Sequence, residues 1–200
     1  AGCQGTLRVR VRLVGRRAHT ARAWMGRNAI HRLAGVLAAL EAYEPRRPIV
    51  GGLTFCEAMQ AVQVEGGVAG NVVPDTASLV VNHRFAPDRS DEAALAHVED
   101  VLRPHLGPGD TIDLLELSTS APPRTDHALL TPLVERHGCT VRSKLGWTDV
   151  ARFTARGIAA VNFGPGDPSL AHTAEEWVSG TELRRVRDVL ADLLRVGATA

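Results

Sequence analysis

Thr6-Leu7-Arg8-Val9-Arg10-Val11-Arg12-Leu13-Val14 decides the fold. Leu7, Val9, Val11 and Leu13 fall on one side of an extended chain, and Arg8, Arg10 and Arg12 fall on the other. Successive side chains of a strand point to opposite faces, so this stretch is a strand with one face in a core and one in water.

Working outward, residues 15–26 form a polar loop that carries His19 and Trp24. A helix is predicted over residues 28–43, with Ile30, Leu33, Leu37 and Leu40 on one stripe. Pro45 and Pro48 end it. Residues 54–65 read as a second strand, and Gly66-Gly67-Val68-Ala69-Gly70-Asn71 as a glycine-rich turn. Residues 76–85 read as a third strand. It sets Leu79, Val81 and His83 opposite Val80, Asn82 and Arg84. Ser90 caps a second helix that has Asp91 and Glu92 in its first turn and Leu95, Val98 and Leu102 as its stripe. Residues 110–117 are a fourth strand. Strand, helix, strand, strand, helix, strand is the ferredoxin-like order.

The Ser/Thr/Pro-rich residues 118–126 mark a boundary, so the expected units are residues 6–118 and 119–200. The second unit reads as a helix over 127–137, a short strand near Val141, a strand over 158–163 and a final helix. Ser179 and Glu182 form a capping box for that helix, and Leu183, Val186, Leu190 and Leu193 form its stripe. The expected class is α/β, a ferredoxin-like α+β unit followed by a small α/β part. Two short strands are too few for a layer covered on both faces, so this part needs a partner. The chain starts with Ala1 and enters a strand within six residues. The expectation is a C-terminal portion of a longer polypeptide.

Totals narrow the function. With 44% hydrophobic residues the 200-residue chain can bury a core. A net charge of +1 counts against nucleic-acid binding by bulk charge. An RNA-stacking sheet needs aromatics, and the strand at residues 6–14 has none. Three cysteines, odd in number and far apart, fit a reduced cytosol. No C-x-x-C pair offers a zinc knuckle. No apolar run approaches a membrane span, and no signal-peptide pattern occurs.

Four segments carry the chemistry. They are Gly15-Arg-Arg-Ala-His19 with Gly26-Arg-Asn-Ala-Ile30; Gly70-Asn71-Val-Val-Pro74; Gly146-Trp-Thr-Asp-Val-Ala-Arg-Phe153; and Asn162-Phe-Gly-Pro-Gly-Asp-Pro-Ser-Leu-Ala-His172-Thr-Ala-Glu-Glu-Trp-Val178. In the last, a Gly/Pro loop delivers one histidine, the usual way to present a metal ligand or proton-transfer group beside a sheet. Taken by themselves, each candidate also has an ordinary reading. His172 and His19 are loop histidines, Asn71 is a turn residue, Arg84 a solvated strand arginine and Thr148 a helix cap.

In order and spacing, the four segments resemble the dinuclear-zinc aminoacylase and carboxypeptidase superfamily. Within it they look most like the succinyl-diaminopimelate desuccinylase family of actinobacterial type. The resemblance covers essentially the whole chain. It implies a ferredoxin-like lid that makes a homodimer, with the rest of the chain returning to a catalytic domain. His172 matches the last zinc ligand of a site holding two zinc ions, with cobalt or manganese possible at one position. His19 matches a lid histidine that stabilises the oxyanion in the partner subunit's site. Asn71 and Arg84 match lid residues that touch substrate, and Thr148 lies in a loop that resembles the substrate-carboxylate loop. Here Asp149 and Arg152 stand one residue further on than in many relatives, so the loop matches better than any one residue in it. The implied substrate is a small anionic N-acyl amino acid. The family's His-x-Asp segment and catalytic Glu-Glu pair have no match, since Glu175-Glu176 lies just past His172. The 200 residues alone are therefore expected to be inactive. Acetylornithine deacetylase, aminoacylase and dipeptidase activities are the enzyme alternatives, and a dimerisation or RNA-binding module the others. Neither nucleic acid nor membrane is an expected partner.

Overall fold

The computed structural model describes residues 1–128 and 130–197. Strand β1 (Gly5–Val14) sits inside the sheet, and Leu7, Val9, Val11 and Leu13 are fully buried. It pairs along its whole length with the strand at Thr76–Phe85, with Thr6 opposite Arg84 and Val14 opposite Thr76. Calling Ala58–Gly66 β2, Thr76–Phe85 β3 and Thr111–Ser118 β4, the sheet order is β2-β3-β1-β4 and every pairing is antiparallel. Helices α1 (Ala29–Glu41) and α2 (Asp91–Leu102) close one core with this sheet. This is the ferredoxin-like arrangement expected from the sequence.

Local chemistry sets the helix ends. The Asn28 side chain accepts from the N–H groups of Ile30 and His31, and Ser90 Oγ accepts from Ala93 N–H at 3.1 Å. These bonds satisfy amide groups that a helix start leaves open. The stripe of α1 is turned from the expected one. Ala29, Leu33, Val36 and Leu40 are buried, while Ile30 and Leu37 are each 38% exposed. The smaller Ala29 and Val36 face the sheet and let the helix lie close to it. Ile30 is displaced to the flank above the end of β2, where a Cβ on Gly66 would stand 2.9 Å from Ile30 Cγ1. Along α2, Ala94, Val98 and Leu102 are buried and Leu95 packs at the margin.

Two polar locks hold the unit. Arg32 forms a two-point bridge to Asp110, which also accepts the N–H groups of Val14 and Gly107 at 2.8 Å. Burial alone raises the Asp110 pKa, but the Arg32 bond and the two amides outweigh it and hold it below the usual carboxylate value. At the other end of the sheet, Glu57 is buried and bonds Arg46 through both oxygens, at 2.7 and 3.1 Å. It also accepts Ala86 N–H and stands 3.8 Å from Arg89.

Beyond β4, Ala121 bridges to Cys3, and Trp147 Nε1 donates to the Thr119 carbonyl at 3.1 Å. Helices α3 (Leu130–His137), α4 (Val150–Thr154) and α5 (Gly180–Gly197) follow. Residue 129, inside the predicted helix over 127–137, lies outside the described residues. Arg136 and His137 both bond Asp192, which ties α3 to α5. The strands expected near Val141 and over residues 158–163 do not form. A strand needs a neighbour to take its N–H and C=O groups, and neither segment pairs with one among the described residues. The expected capping box is also different. Ser179 Oγ accepts from Thr181 N–H, but Glu182 reaches Gly166 N–H instead of closing the box. Among the described residues of α5, Val189 is buried, whereas Leu183 and Leu190 are half exposed.

Candidate active site

His19 is held by a two-residue clasp. Ala18–His19 pairs antiparallel with Val72–Val73, setting His19 opposite Val72. The carbonyl of Asn71 accepts Thr20 N–H at 3.0 Å. Two predicted site residues from distant loops, His19 and Asn71, are thereby fixed side by side. Both are exposed. His19 Nδ1 accepts the N–H of Ala21 at 3.0 Å. A ring nitrogen that accepts carries no proton, so in the neutral ring the proton sits on Nε2. His19 therefore presents a defined N–H donor toward solvent, which suits a developing negative charge.

Gly15 N–H bonds the Asp75 carbonyl, and Gly15 has room for no side chain, since a Cβ would lie 2.0 Å from the Arg27 carbonyl oxygen. These contacts anchor the clasp beside the Thr76 end of β3. Arg84 occupies the opposite end of that strand, in register with Thr6 and Ala58. At about 3.3 Å per residue, the two ends are roughly 25 Å apart. Within one chain, Arg84 does not join His19 and Asn71.

Thr148 lies at the Arg84 end. Gln4, two residues before Thr6, donates its backbone N–H to Lys144 O, and Cys3 Sγ stands 3.8 Å from Thr148 O. The Thr148 hydroxyl oxygen accepts from Asn162 Nδ2 at 3.1 Å. Its own proton is left to donate to an anion. The helix-cap alternative does not use this hydroxyl. The residue at the cap of α4 is Asp149, which makes no side-chain cap bond, and Ala151 N–H goes to the Thr148 carbonyl.

His172 stands in an exposed loop with φ 67°, a left-handed conformation uncommon outside glycine. Its backbone N–H bonds Glu176 Oε2 at 2.9 Å. The imidazole is a donor that suits zinc, and the backbone bond leaves it uncommitted to the loop. It supplies one donor of the three or four that zinc takes, and among the described residues no group of three or more His, Cys, Asp or Glu is placed to hold a metal. Residue-level reading passed over three groups that orient the candidates: the Ala21 amide, Asn162 and Glu176. Asn162 and Glu176 stand in the quoted His172 segment, yet neither bond has a spacing signal.

The sheet order, the helices on one face and the clasped histidine loop define a ferredoxin-like lid. The peptidase dimerisation domain family matches residues 2–110, and the chain belongs to that family. Its sequence is 50% identical over 190 residues to a Mycobacterium tuberculosis protein named as a succinyl-diaminopimelate desuccinylase, covering 95% of this chain and 53% of that protein. It is 40% identical over 195 residues to a succinyl-diaminopimelate desuccinylase of Corynebacterium glutamicum, covering 97% and 53%. The fold matches a Staphylococcus aureus tripeptidase with TM-score 0.73 at 18% identity, over all of this chain and 53% of that one. The chain spans about half the length of the curated relatives it matches. No helix among the described residues is long and apolar enough to cross a membrane.

Proposed function

We propose that this chain supplies the lid, residues 6–118, and a returning part of the catalytic domain, residues 119–200, of a zinc-dependent amide hydrolase. The substrate is N-succinyl-diaminopimelate, cleaved to succinate and diaminopimelate in lysine and diaminopimelate biosynthesis. Likeness to the mycobacterial desuccinylase along 95% of the chain carries this reading. Bound zinc, as a pair in which one ion could be cobalt or manganese, would polarise the amide carbonyl and activate water. His172 is the residue of this chain that would hold a metal. The general base and other ligands lie beyond the described residues. Arg84 clamps a substrate carboxylate, Thr148 donates to one, and Asn71 contacts the substrate. His19 Nε2–H donates to the oxygen that becomes negative as the amide is attacked.

The separation along β3 supports a site built by two chains. Strand β2 is a sheet edge that carries exposed Val62 and Val64, with Ile30 of α1 against its Gly66 end. Paired antiparallel with its own copy about a two-fold axis, its Gly66 end meets the partner's Ala58 end. That brings His19 and Asn71 of one protomer to Arg84 and Thr148 of the other. The free thiols of Cys3, Cys56 and Cys139 agree with a reducing cytoplasmic setting.

Turnover of N-succinyl, N-acetyl and dipeptide substrates by the full-length protein tests the reaction. Preference for the succinyl substrate supports it. Preference for acetylornithine or a dipeptide gives the chemistry to a sister activity on the same fold.

A further inference from the structure

We infer that Glu176 is a positioning residue for His172. Its carboxylate fixes the backbone on which the candidate metal ligand rides, and it does not itself bind metal. The inference rests on the proposed role of His172, and two observations carry it. His172 is the one non-glycine residue with positive φ among the described residues. A side chain rarely adopts that conformation unless its surroundings hold it there. The bond that holds it is charge-assisted and local, because Glu176 Oε2 accepts the His172 N–H at 2.9 Å across four residues.

The loop around this bond is closed on itself. Thr173 N–H and Oγ1 both bond the Leu170 carbonyl, and Glu176 N–H bonds the Thr173 carbonyl. The turn over residues 170–176 is thus shaped by its own short bonds, and the Glu176 carboxylate closes its mouth. Without that acceptor, His172 has lost the bond to its own amide, and the backbone relaxes toward negative φ. Such a rotation swings the Cα–Cβ bond and carries the imidazole away from its bearing. Groups that orient a metal ligand typically contribute tenfold to a hundredfold to metal affinity.

The test uses metal-free full-length protein titrated with zinc by calorimetry. Four variants are compared: H172A, E176A, E176Q and E175Q. H172A sets the scale and tests the proposed ligand separately. If it leaves zinc affinity and stoichiometry unchanged, the His172 reading fails whatever Glu176 does. Given a loss in H172A, E176A should weaken one zinc-binding event by about tenfold or more. E176Q should stay within about threefold of wild type, because the Gln carbonyl still accepts the amide N–H. E175Q should match wild type. Equal losses in E176A and E176Q would overturn the inference, since the charge or direct ligation by Glu176 would then be what matters. Wild-type affinity in E176A, beside a loss in H172A, would overturn it too.

Discussion

The clasp that holds His19 sits beside the Thr76 end of β3 and Arg84 at the other end, and these ends are roughly 25 Å apart. Both residues are candidates for one small substrate, and no side chain spans that distance. One chain alone therefore does not complete the proposed site.

The two residues should fail in different ways in the full-length enzyme. His19→Ala removes a donor needed as charge develops, so kcat should fall by about a hundredfold to a thousandfold with KM little changed. Arg84→Lys keeps a charge but loses the paired geometry, so KM should rise by about tenfold to a hundredfold with kcat near wild type. Steady-state kinetics decides. Reversed effects would reassign both residues.

Glu57 should matter more to stability than any exposed ion pair. Its carboxylate is fully buried, while Arg46 is 41% exposed at the side chain. Burial raises the Glu57 pKa, but the bonds from Arg46 and Ala86 and the charge of Arg89 bring it below the usual carboxylate value. Glu57→Gln takes the buried carboxylate from Arg89 and leaves Arg46 with Asp88 alone, and it should lose about 3–5 kcal/mol in urea unfolding. Arg46→Met should lose less, because Glu57 keeps the Ala86 amide and Arg89. Equal losses would contradict this ranking.

Acid should weaken the fold through His83 before it reaches Glu57 and Asp110. Burial in the core pushes the His83 pKa down from 6.5 to about 4. The Ala58 carbonyl and Glu57 favour its charged form, while His97 and Arg89 oppose it. Between those values the unfolded chain binds a proton that the folded chain does not. The stabilisation is therefore complete above about pH 6.5 and is lost as pH falls toward 4, by roughly 3 kcal/mol at most. His83→Gln keeps a donor for the Ala58 carbonyl and should flatten unfolding free energy across that window. An unchanged slope would assign it to other groups.

Much of this fold is legible in the sequence because its signals are periodic. The alternation of Leu7, Val9, Val11 and Leu13 gives β1, and residues 76–85 give β3 with its true ends. Asn28 and Ser90 cap their helices by local chemistry that a sequence displays. The stripe of α1 is turned because Ala29 and Val36 share the buried face with Leu33 and Leu40, and apolar content alone favours Ile30 and Leu37, which lie at its margin. Apolar content does not make residues 158–163 a strand, because a ladder needs a neighbour. In the candidate site, the resemblance of four segments points to His19, Asn71, Arg84, Thr148 and His172, while residue types alone leave each with an ordinary reading. They could not give the clasp that joins His19 to Asn71, two residues long and closed across distant loops. Nor could they give the distance from that clasp to Arg84.

The central claim is that His19 serves a site whose His172 belongs to the other protomer. Mixing full-length H19A and H172A subunits, each inactive alone, under conditions that exchange them tests this directly. Half the dimers are then mixed, and each mixed dimer holds one intact site of two, so about one quarter of wild-type activity should return. A mixture that stays as inactive as its parents would show that both histidines act within one chain.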